Sequence, residues 1–291
     1  MNIVILSRNK ELYSTRRLVE EAEKRNHLVE VIDPLNCDLI IENDKPTILY
    51  QNKYLDYVDA IIPRIGASVT FYGCAVVRQF EMMNVFSSVS SDSIARSRDK
   101  LRSFQHLSKA GVDMPKTIFT NYSKNIENLI LKVGGTPVVI KLLEGTQGIG
   151  VILAETNIAA ESILEAFNSL ESRTLIQEYI AEAKGADLRV LIIDNHVVGA
   201  MKRQGKEGEF RSNLHRGGTY KQCKLSGEEI KIALKAAREL KLSICGVDLL
   251  QSNRGPLIME INSTPGLEGI ESASKKNIAQ SIITYIERNR R

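Results

Sequence analysis

The sequence predicts two kinds of architecture in one chain: a parallel α/β unit first, then an α+β remainder built from antiparallel hairpins. Three observations carry this. Residues 2–6, 12–25 and 29–32 read strand, helix, strand at the spacing of a parallel unit. Asp194-Asn195 separates two apolar runs, as a hairpin loop does. Ser252-Asn253-Arg254-Gly255 does the same between two further runs near the C-terminal end.

The elements follow in order. Asn2–Leu6 is the first strand, residues 12–25 a charged amphipathic helix, and Val29–Ile32 the second strand. Residues 36–58 are polar and irregular, expected as loops with a short hairpin. Residues 60–64 form a strand ending at Arg64, and Tyr72–Met83 a helix; this first domain closes near residue 93. Residues 94–110 are expected as one helix rich in Arg and Lys, stopped by Gly111. Strands are expected at 115–120, 137–143, 151–154 and 175–180, with helices at 125–133 and 159–169. The hairpin 187–203 comes next, then a helix over 228–240, the hairpin 246–262, and a closing helix over 278–290.

At 291 residues, with 43% hydrophobic and 25% charged residues, the chain has a globular composition and room for two or three domains. A net charge of +4 is too small to argue for nucleic acid and suits acidic ligands equally well. No stretch approaches the roughly 20 apolar residues of a membrane span, and the apolar run at Ile3–Leu6 is too short for a signal peptide. Cys37, Cys74, Cys223 and Cys245 are scattered without a Cys-x-x-Cys pair, which argues against zinc and disulfides and for a reducing cytoplasm.

Asp248, Glu260 and Asn262 carry the sharpest chemistry. If the chain reverses around Arg254, Asp248 faces Glu260 with Cβ atoms roughly 5.5 Å apart, and Glu260 and Asn262 share a face. Such oxygen donors suit Mg²⁺ or Mn²⁺, usually held by one or two carboxylates plus substrate phosphates. The bland alternative is an edge hairpin with all three in solvent. Glu144-Gly145-Thr146-Gln147-Gly148-Ile149-Gly150 is a glycine loop between strands. Its N–H groups can cradle phosphate, although it lacks the Gly-Lys-[Ser/Thr] of a Walker loop; otherwise it is a plain turn. Lys141, inside an apolar strand before that loop, is placed to meet phosphate, and Lys100 is a second candidate; a snorkelling or solvated lysine is the alternative for each. Gln177-Glu178-Tyr179-Ile180 can read a base through its backbone, and Asp187 beyond it can accept from ribose hydroxyls. The loop Arg211-Ser212-Asn213-Leu214-His215-Arg216-Gly217-Gly218 is basic and glycine-tipped, in a 203–222 stretch without an apolar strand or helix. His215 is an acid/base only by its type, and Cys245 reads as a small buried apolar residue.

In this order, a lysine-bearing strand, glycine loop, base-reading strand and Asp…Glu-x-Asn hairpin resemble the ATP-grasp superfamily. Ile62-Pro63-Arg64-Ile65-Gly66, Phe71-Tyr72-Gly73, Arg78-Gln79-Phe80-Glu81-Met82, Arg98-Asp99-Lys100-Leu101-Arg102, the glycine loop, the 210–218 loop, Asn253-Arg254-Gly255-Pro256-Leu257 and Pro265-Gly266-Leu267-Glu268-Gly269-Ile270-Glu271 resemble the RimK-type α-L-glutamate ligases across essentially the whole chain. The resemblance implies an N-terminal pre-ATP-grasp α/β domain (1–93) and a two-subdomain ATP-grasp fold, 94–174 with the glycine loop and 175–291 with the metal hairpin. It implies an ATP-dependent ligase that adds L-glutamate to the C-terminal glutamate of a small-subunit ribosomal protein through an acyl phosphate, with poly-α-glutamate as a further product. Two Mg²⁺ or Mn²⁺ ions, a homotetramer, and no direct nucleic acid or membrane partner are also implied.

Residue by residue, the resemblance gives Lys100, Lys141, Gly145, Gly148 and Gly150 to ATP phosphates, Glu178 and Tyr179 to the adenine side, and Asp187 to ribose. Arg211, Ser212 and Asn213 fall to phosphates or the acyl phosphate, Asp248 to one metal, Glu260 to both and Asn262 to the second. D-alanine ligase-type relatives carry an Arg two residues before the metal Asp, where this chain has Gly246. The clamp on the acyl phosphate therefore falls to Arg203 or Arg211. Two other readings stand beside this one: an ATP-grasp ligase acting on an amino-acid carrier protein, and a non-catalytic ATP-binding module.

Overall fold

The computed structural model describes residues 1–120, 125–143, 150–212 and 217–290. Gly145, Gly148, Asn213 and His215 lie outside the described residues.

The first part is the predicted parallel unit. Strands β1 (Asn2–Leu6), β2 (Leu28–Ile32), β6 (Ala60–Pro63) and β7 (Phe86–Ser87) form a parallel sheet in the order β2-β1-β6-β7. Helix α1 (Tyr13–Lys24) crosses from β1 to β2, and α2 (Thr70–Met82) from β6 to β7. β1 and β6 are continuous apolar runs because a parallel sheet covered on both faces buries both sides of its strands. Residues 37–54 hold more structure than expected: β3 (Cys37–Ile40), β4 (Thr47–Tyr50) and β5 (Lys53–Tyr54) make a three-stranded antiparallel sheet. The strands are only two to four residues long, too short to show a period-2 signal.

The helix expected over 94–110 is two, α3 (Ser91–Arg98) and α4 (Lys100–Lys109). Asp99 breaks it, with an extended backbone (φ −80°, ψ 98°) and a carboxylate that accepts from the Arg102 N–H at 3.0 Å. An aspartate at that place is a strong N-cap, so the side chain starts a second helix rather than continuing the first.

A four-stranded antiparallel sheet follows, in the order β10-β9-β11-β8, from β8 (Thr117–Thr120), β9 (Val138–Leu142), β10 (Val151–Ala154) and β11 (Thr174–Glu178). Helices α5 (Ile126–Lys132) and α6 (Asn157–Ser169) supply its own small core, with Ile130, Ile140, Leu164 and Ile176 fully buried. The remainder is a five-stranded antiparallel sheet, β14-β13-β12-β15-β16. It comprises β12 (Ala186–Ile193), β13 (His196–Gln204), β14 (Thr219–Gln222), β15 (Ile244–Ser252) and β16 (Gly255–Asn262). Helix α7 (Gly227–Glu239) opens on a capping box between Ser226 and Glu229. Helices α8 (Glu268–Ser274) and α9 (Ile278–Asn289) close the chain. Within the 203–222 stretch, where no apolar strand is expected, β14 is an exposed edge strand on β13 and carries no apolar signature.

One continuous apolar core joins the parallel sheet to the five-stranded sheet, while the middle sheet keeps its core to itself. Helix α9 packs on α1, tied by Arg25 to Glu287 at 2.5 Å. Among the described residues no helix is long and apolar enough to cross a membrane.

Candidate active site

Both predicted hairpins form. Asp194 and Asn195 take positive φ (50° and 59°), as a two-residue turn with the twist of its strands requires. In the second hairpin Asp248 faces Glu260, as the sequence predicts, but by a different route. The turn pairs Ser252 with Gly255, and Leu249 with Ile258. Continued without interruption, that register would set Asp248 against Met259. A bulge between Asp248 and Leu249 shifts the pairing by one and brings Glu260 opposite Asp248, with Asn262 opposite Gly246. Bulges of this kind re-aim side chains beside active sites.

Around Asp248 the sheet builds a buried ionic row. Arg189 on β12 is the register partner of Asp248, and Asp187, two residues back on the same face, is that of Arg203 on β13. Arg189 donates Nε to Asp248 Oδ1 at 2.7 Å and Nη2 to Oδ2 at 2.6 Å. Arg203 donates Nη2 to Asp248 Oδ2 at 2.8 Å, Nε to Asp187 Oδ1 at 2.6 Å, and Nη2 to Asp187 Oδ2. Asp187 and Asp248 are each 2% exposed, so these bonds replace their water. Burial works against the Asp248 charge, but Arg189 and Arg203 outweigh it and hold the carboxyl below its ordinary range. Burial raises Asp187, the neighbouring Asp248 charge adds to this, and Arg203 and a hydrogen bond from the buried Ser212 oppose it. Sequence reasoning missed Arg189. Its signal was present: an arginine two residues beyond Asp187, facing a glycine, since Gly246 leaves room beside the Arg189 guanidinium.

Glu260 is exposed beside this row, with no side-chain partner among the described residues. Asn262 Oδ1 accepts from the Thr264 N–H at 2.9 Å and retains a second lone pair. Two carboxylates and an amide oxygen on one hairpin, with one carboxylate unpaired, suit a hard divalent cation whose remaining ligands are phosphates and water. The residues present therefore fit Mg²⁺ or Mn²⁺, with Asp248 offering its less occupied Oδ1.

The middle sheet presents the basic side. Lys141, half-buried on β9, donates to Gln177 Oε1 at 2.6 Å, and Gln177 donates onward to Thr117 at 2.8 Å. Burial pulls the Lys141 ammonium down to about 8, with Lys100 pressing the same way and Glu260 opposing. Lys100 Nζ donates to the Leu143 carbonyl, at the threshold of the glycine loop, at 3.1 Å. Gly150 closes that loop at φ +71°, accepting from the Leu142 N–H at 2.8 Å. A Cβ there would come within 2.5 Å of Leu142, so the position needs glycine on both counts. Lys141 and Glu260 thus face each other electrostatically from two different sheets.

Other predicted residues sit differently. Glu178, at the end of β11, binds Arg254 in the hairpin turn at 2.7 and 2.5 Å and accepts from the Lys116 N–H at 2.9 Å. Its carboxylate braces the two sheets, leaving the backbone to read a base; half-buried Tyr179 follows it. Burial opposes the Glu178 charge, and Arg254 more than offsets it, so its pKa is lowered. Asp187 faces Arg203 rather than an open ribose position. Arg211 holds Glu209 at 2.8 and 2.7 Å and the Val151 carbonyl at 3.1 Å, which ties its loop to β10. Cys245 is fully buried and pushed up to about 12 by burial, an inert thiol.

Known proteins share this fold. Solved structures align over nearly the whole chain. The ligase PsnB with a minimal precursor, Mg and ADP aligns at TM-score 0.77 and 17% identity, covering 100% of this chain and 98% of that one. A RimK domain ATP-grasp protein of Sphaerobacter thermophilus aligns at TM-score 0.72 and 20% identity, covering 99% and 100%. D-alanine–D-alanine ligase of Bacillus anthracis with ATP aligns at TM-score 0.72 and 19% identity, covering 99% and 96%. At these identities the likeness establishes the ATP-grasp fold. The family model described as the RimK-like ATP-grasp domain matches residues 97–286, and that of the RimK PreATP-grasp domain matches residues 1–94. A probable alpha-L-glutamate ligase of Saccharophagus degradans is 58% identical over 289 residues, covering 99% of this chain and 96% of the relative. One of a Marinomonas species is 59% identical over 288 residues, with the same coverage. The chain belongs to the RimK-like ATP-grasp family, and as such is an ATP-dependent ligase.

Proposed function

We propose that this ligase joins L-glutamate to the C-terminal glutamate of an acceptor protein, a small-subunit ribosomal protein, through an acyl phosphate. The observation that carries the reading is the opposition of Lys141 and Glu260 across two sheets, with Asp248 and Asn262 beside Glu260. The relatives that are more than half identical are named probable alpha-L-glutamate ligases, which supplies the amino acid. Solved relatives hold precursor peptides, which supports a peptide-borne acceptor.

In this reading Lys141 and Lys100 hold the ATP phosphates, and Gly150 adds its backbone to them. Phosphoryl transfer needs positioning and charge neutralisation more than covalent help. The acceptor α-carboxylate attacks the γ-phosphorus, ADP leaves, and an acyl phosphate forms. The glutamate amine then attacks the acyl carbon, an amide forms, and phosphate departs. Asp248, Glu260 and Asn262 would hold Mg²⁺ or Mn²⁺, which when bound neutralises phosphate charge. Arg189 and Arg203 fix the Asp248 carboxylate and keep it ionised. Arg211, which donates to the Val151 carbonyl one residue past Gly150, takes the clamp role on the acyl phosphate; Arg203 serves as a support for the carboxylates.

The test is ADP release. With Mg²⁺, ATP, L-glutamate and a Glu-terminated peptide, ADP forms steadily; leaving out the peptide stops it. Equal ADP release without the peptide would remove the acceptor from the reaction and sink the reading. If Arg211→Ala kept full ADP release and full ligation, Arg211 would drop out as the clamp.

A further inference from the structure

Arg64 and Arg98 are cations that the nucleotide reading leaves unused. Arg64 follows β6, and Arg98 ends α3. Both point to the junction of the parallel domain with the loop after β16. Arg98 Nη2 donates to the Ile65 carbonyl at 2.7 Å, and Arg64 Nη2 to the Pro265 carbonyl at 2.8 Å. Thr264 Oγ1 donates to that same Ile65 carbonyl at 3.2 Å. Among the described residues neither guanidinium has a carboxylate at ion-pair distance, and the buried Arg98 Nε has no hydrogen-bond partner.

Arg189 and Arg203, by contrast, are each paired with carboxylates. Arg96 also buries an unpartnered Nε, but its guanidinium turns to the Leu240 carbonyl, away from the Ile65–Pro265 junction that Arg64 and Arg98 share. Burial pulls Arg64 down to about 10, with Arg98 adding like charge, and it lowers Arg98 as well, against the attraction of Glu260. A dehydrated cation without its counter-anion is costly to keep, and a ligand can supply the missing anion. Both arginines are half-buried rather than sealed.

Their position says which anion. Arg98 donates to the Ile65 carbonyl and Arg64 to the Pro265 carbonyl, so the arginines stand where the parallel domain meets the end of the hairpin, whereas Lys141 lies on β9 in the middle sheet. Nucleotide phosphates belong to the lysine side. An anion at the arginines belongs to the group that reacts with the nucleotide, beyond the reacting atoms. Two planar forks set together match a carboxylate better than a point charge would.

We propose that Arg64 and Arg98 form a carboxylate subsite holding a non-reacting carboxylate of the substrate. The proposal rests on the glutamate-ligase reading for its substrate. That carboxylate belongs either to the incoming glutamate or to the side chain of the acceptor's terminal glutamate, and the arms of the test separate the two. Calorimetry on the protein with ADP and Mg²⁺ measures the affinity of L-glutamate against L-glutamine, and of a Glu-terminated peptide against its Gln-terminated twin. The wild type prefers the carboxylate form in one of these pairs, and that pair names the source. Arg98→Gln and Arg64→Gln each weaken the preferred ligand by about 10- to 100-fold, the scale of a charge-assisted hydrogen bond. They leave the amide twin unchanged, and ADP affinity stays within about threefold because the nucleotide side is intact. If a glutamine variant loses ADP binding, the Arg98→Lys variant is read instead, and it weakens the ligand by about threefold or more, since charge persists without the fork. Unchanged affinity in these variants, or a wild type that prefers neither carboxylate ligand, overturns the subsite. A wild type that binds glutamate through these arginines yet joins none to the peptide sinks the ligase reading and leaves the subsite standing.

Discussion

Arg203→Met removes a guanidinium from between two carboxylates that water barely reaches. Asp248 keeps both bonds from Arg189, so the loss falls on Asp187, which retains only its bond from Ser212. Breaking a buried ion pair from one side costs about 3–5 kcal/mol. At about 2–4 °C per kcal/mol, this lowers Tm by roughly 6–20 °C near neutral pH. The pH dependence has a fixed sign. Asp187 already titrates above its unfolded value through burial, and losing Arg203 raises it further. A group raised in the folded state contributes fully below its unfolded pKa of about 3.9 and loses that contribution as pH rises through the folded pKa. The gap between variant and wild type is therefore narrow near pH 4 and widens towards neutrality. Thermal unfolding followed by circular dichroism across that range measures it. Asp187→Leu in the Arg203→Met background recovers part of the loss, because no buried charge is then left alone. A Tm within about 2 °C of wild type at neutral pH, beside a collapse in ligation, would show Arg203 to be a catalytic clamp rather than a support.

The remaining predictions concern the two sides of the cleft. Lys141, pulled down to about 8, reacts with an amine-directed reagent as pH rises through that value, and ADP protects it; peptide mapping that finds half-reaction near the ordinary lysine pKa would refute its dehydration. Gly150→Ala, at φ +71° and against Leu142, destabilises by about 1–3 kcal/mol in chemical denaturation. Glu260→Gln lowers kcat on the order of 100-fold, the size of losing one preorganised charge-stabilising group, while unfolding stays within about 0.5 kcal/mol because the side chain is exposed and unpaired. Arg254→Ala costs less than about 1 kcal/mol, since its pair with Glu178 is close to the surface.

Much of this was legible in the sequence, and the misses have physical causes. Strands that alternate or run apolar, such as β1, β6, β12 and β15, announce themselves by burial, and Asp194-Asn195 announces its turn by tolerance of positive φ. Asp99 was readable as a cap but sat inside a helix-like charge pattern, which hid the break. β14 has four exposed polar residues and pairs only because β13 offers an edge. The Asp248–Glu260 opposition was anticipated, yet its cause, a bulge, is invisible to pattern. Arg203 was named as a clamp and Arg189 was overlooked; that both pair with Asp248 was out of reach for a deeper reason. Which carboxylate an arginine meets depends on register between strands far apart in the chain, and register is set by packing. The same holds for Arg64 and Arg98, which only the folded chain brings to one place.

The central claim is tested most directly by mass spectrometry of a Glu-terminated peptide after incubation with the protein, ATP and Mg²⁺, using each amino acid in turn. The account predicts mass steps of one glutamate residue, with L-glutamate and ATP both required. No step with glutamate, or a step with a different amino acid instead, would contradict it.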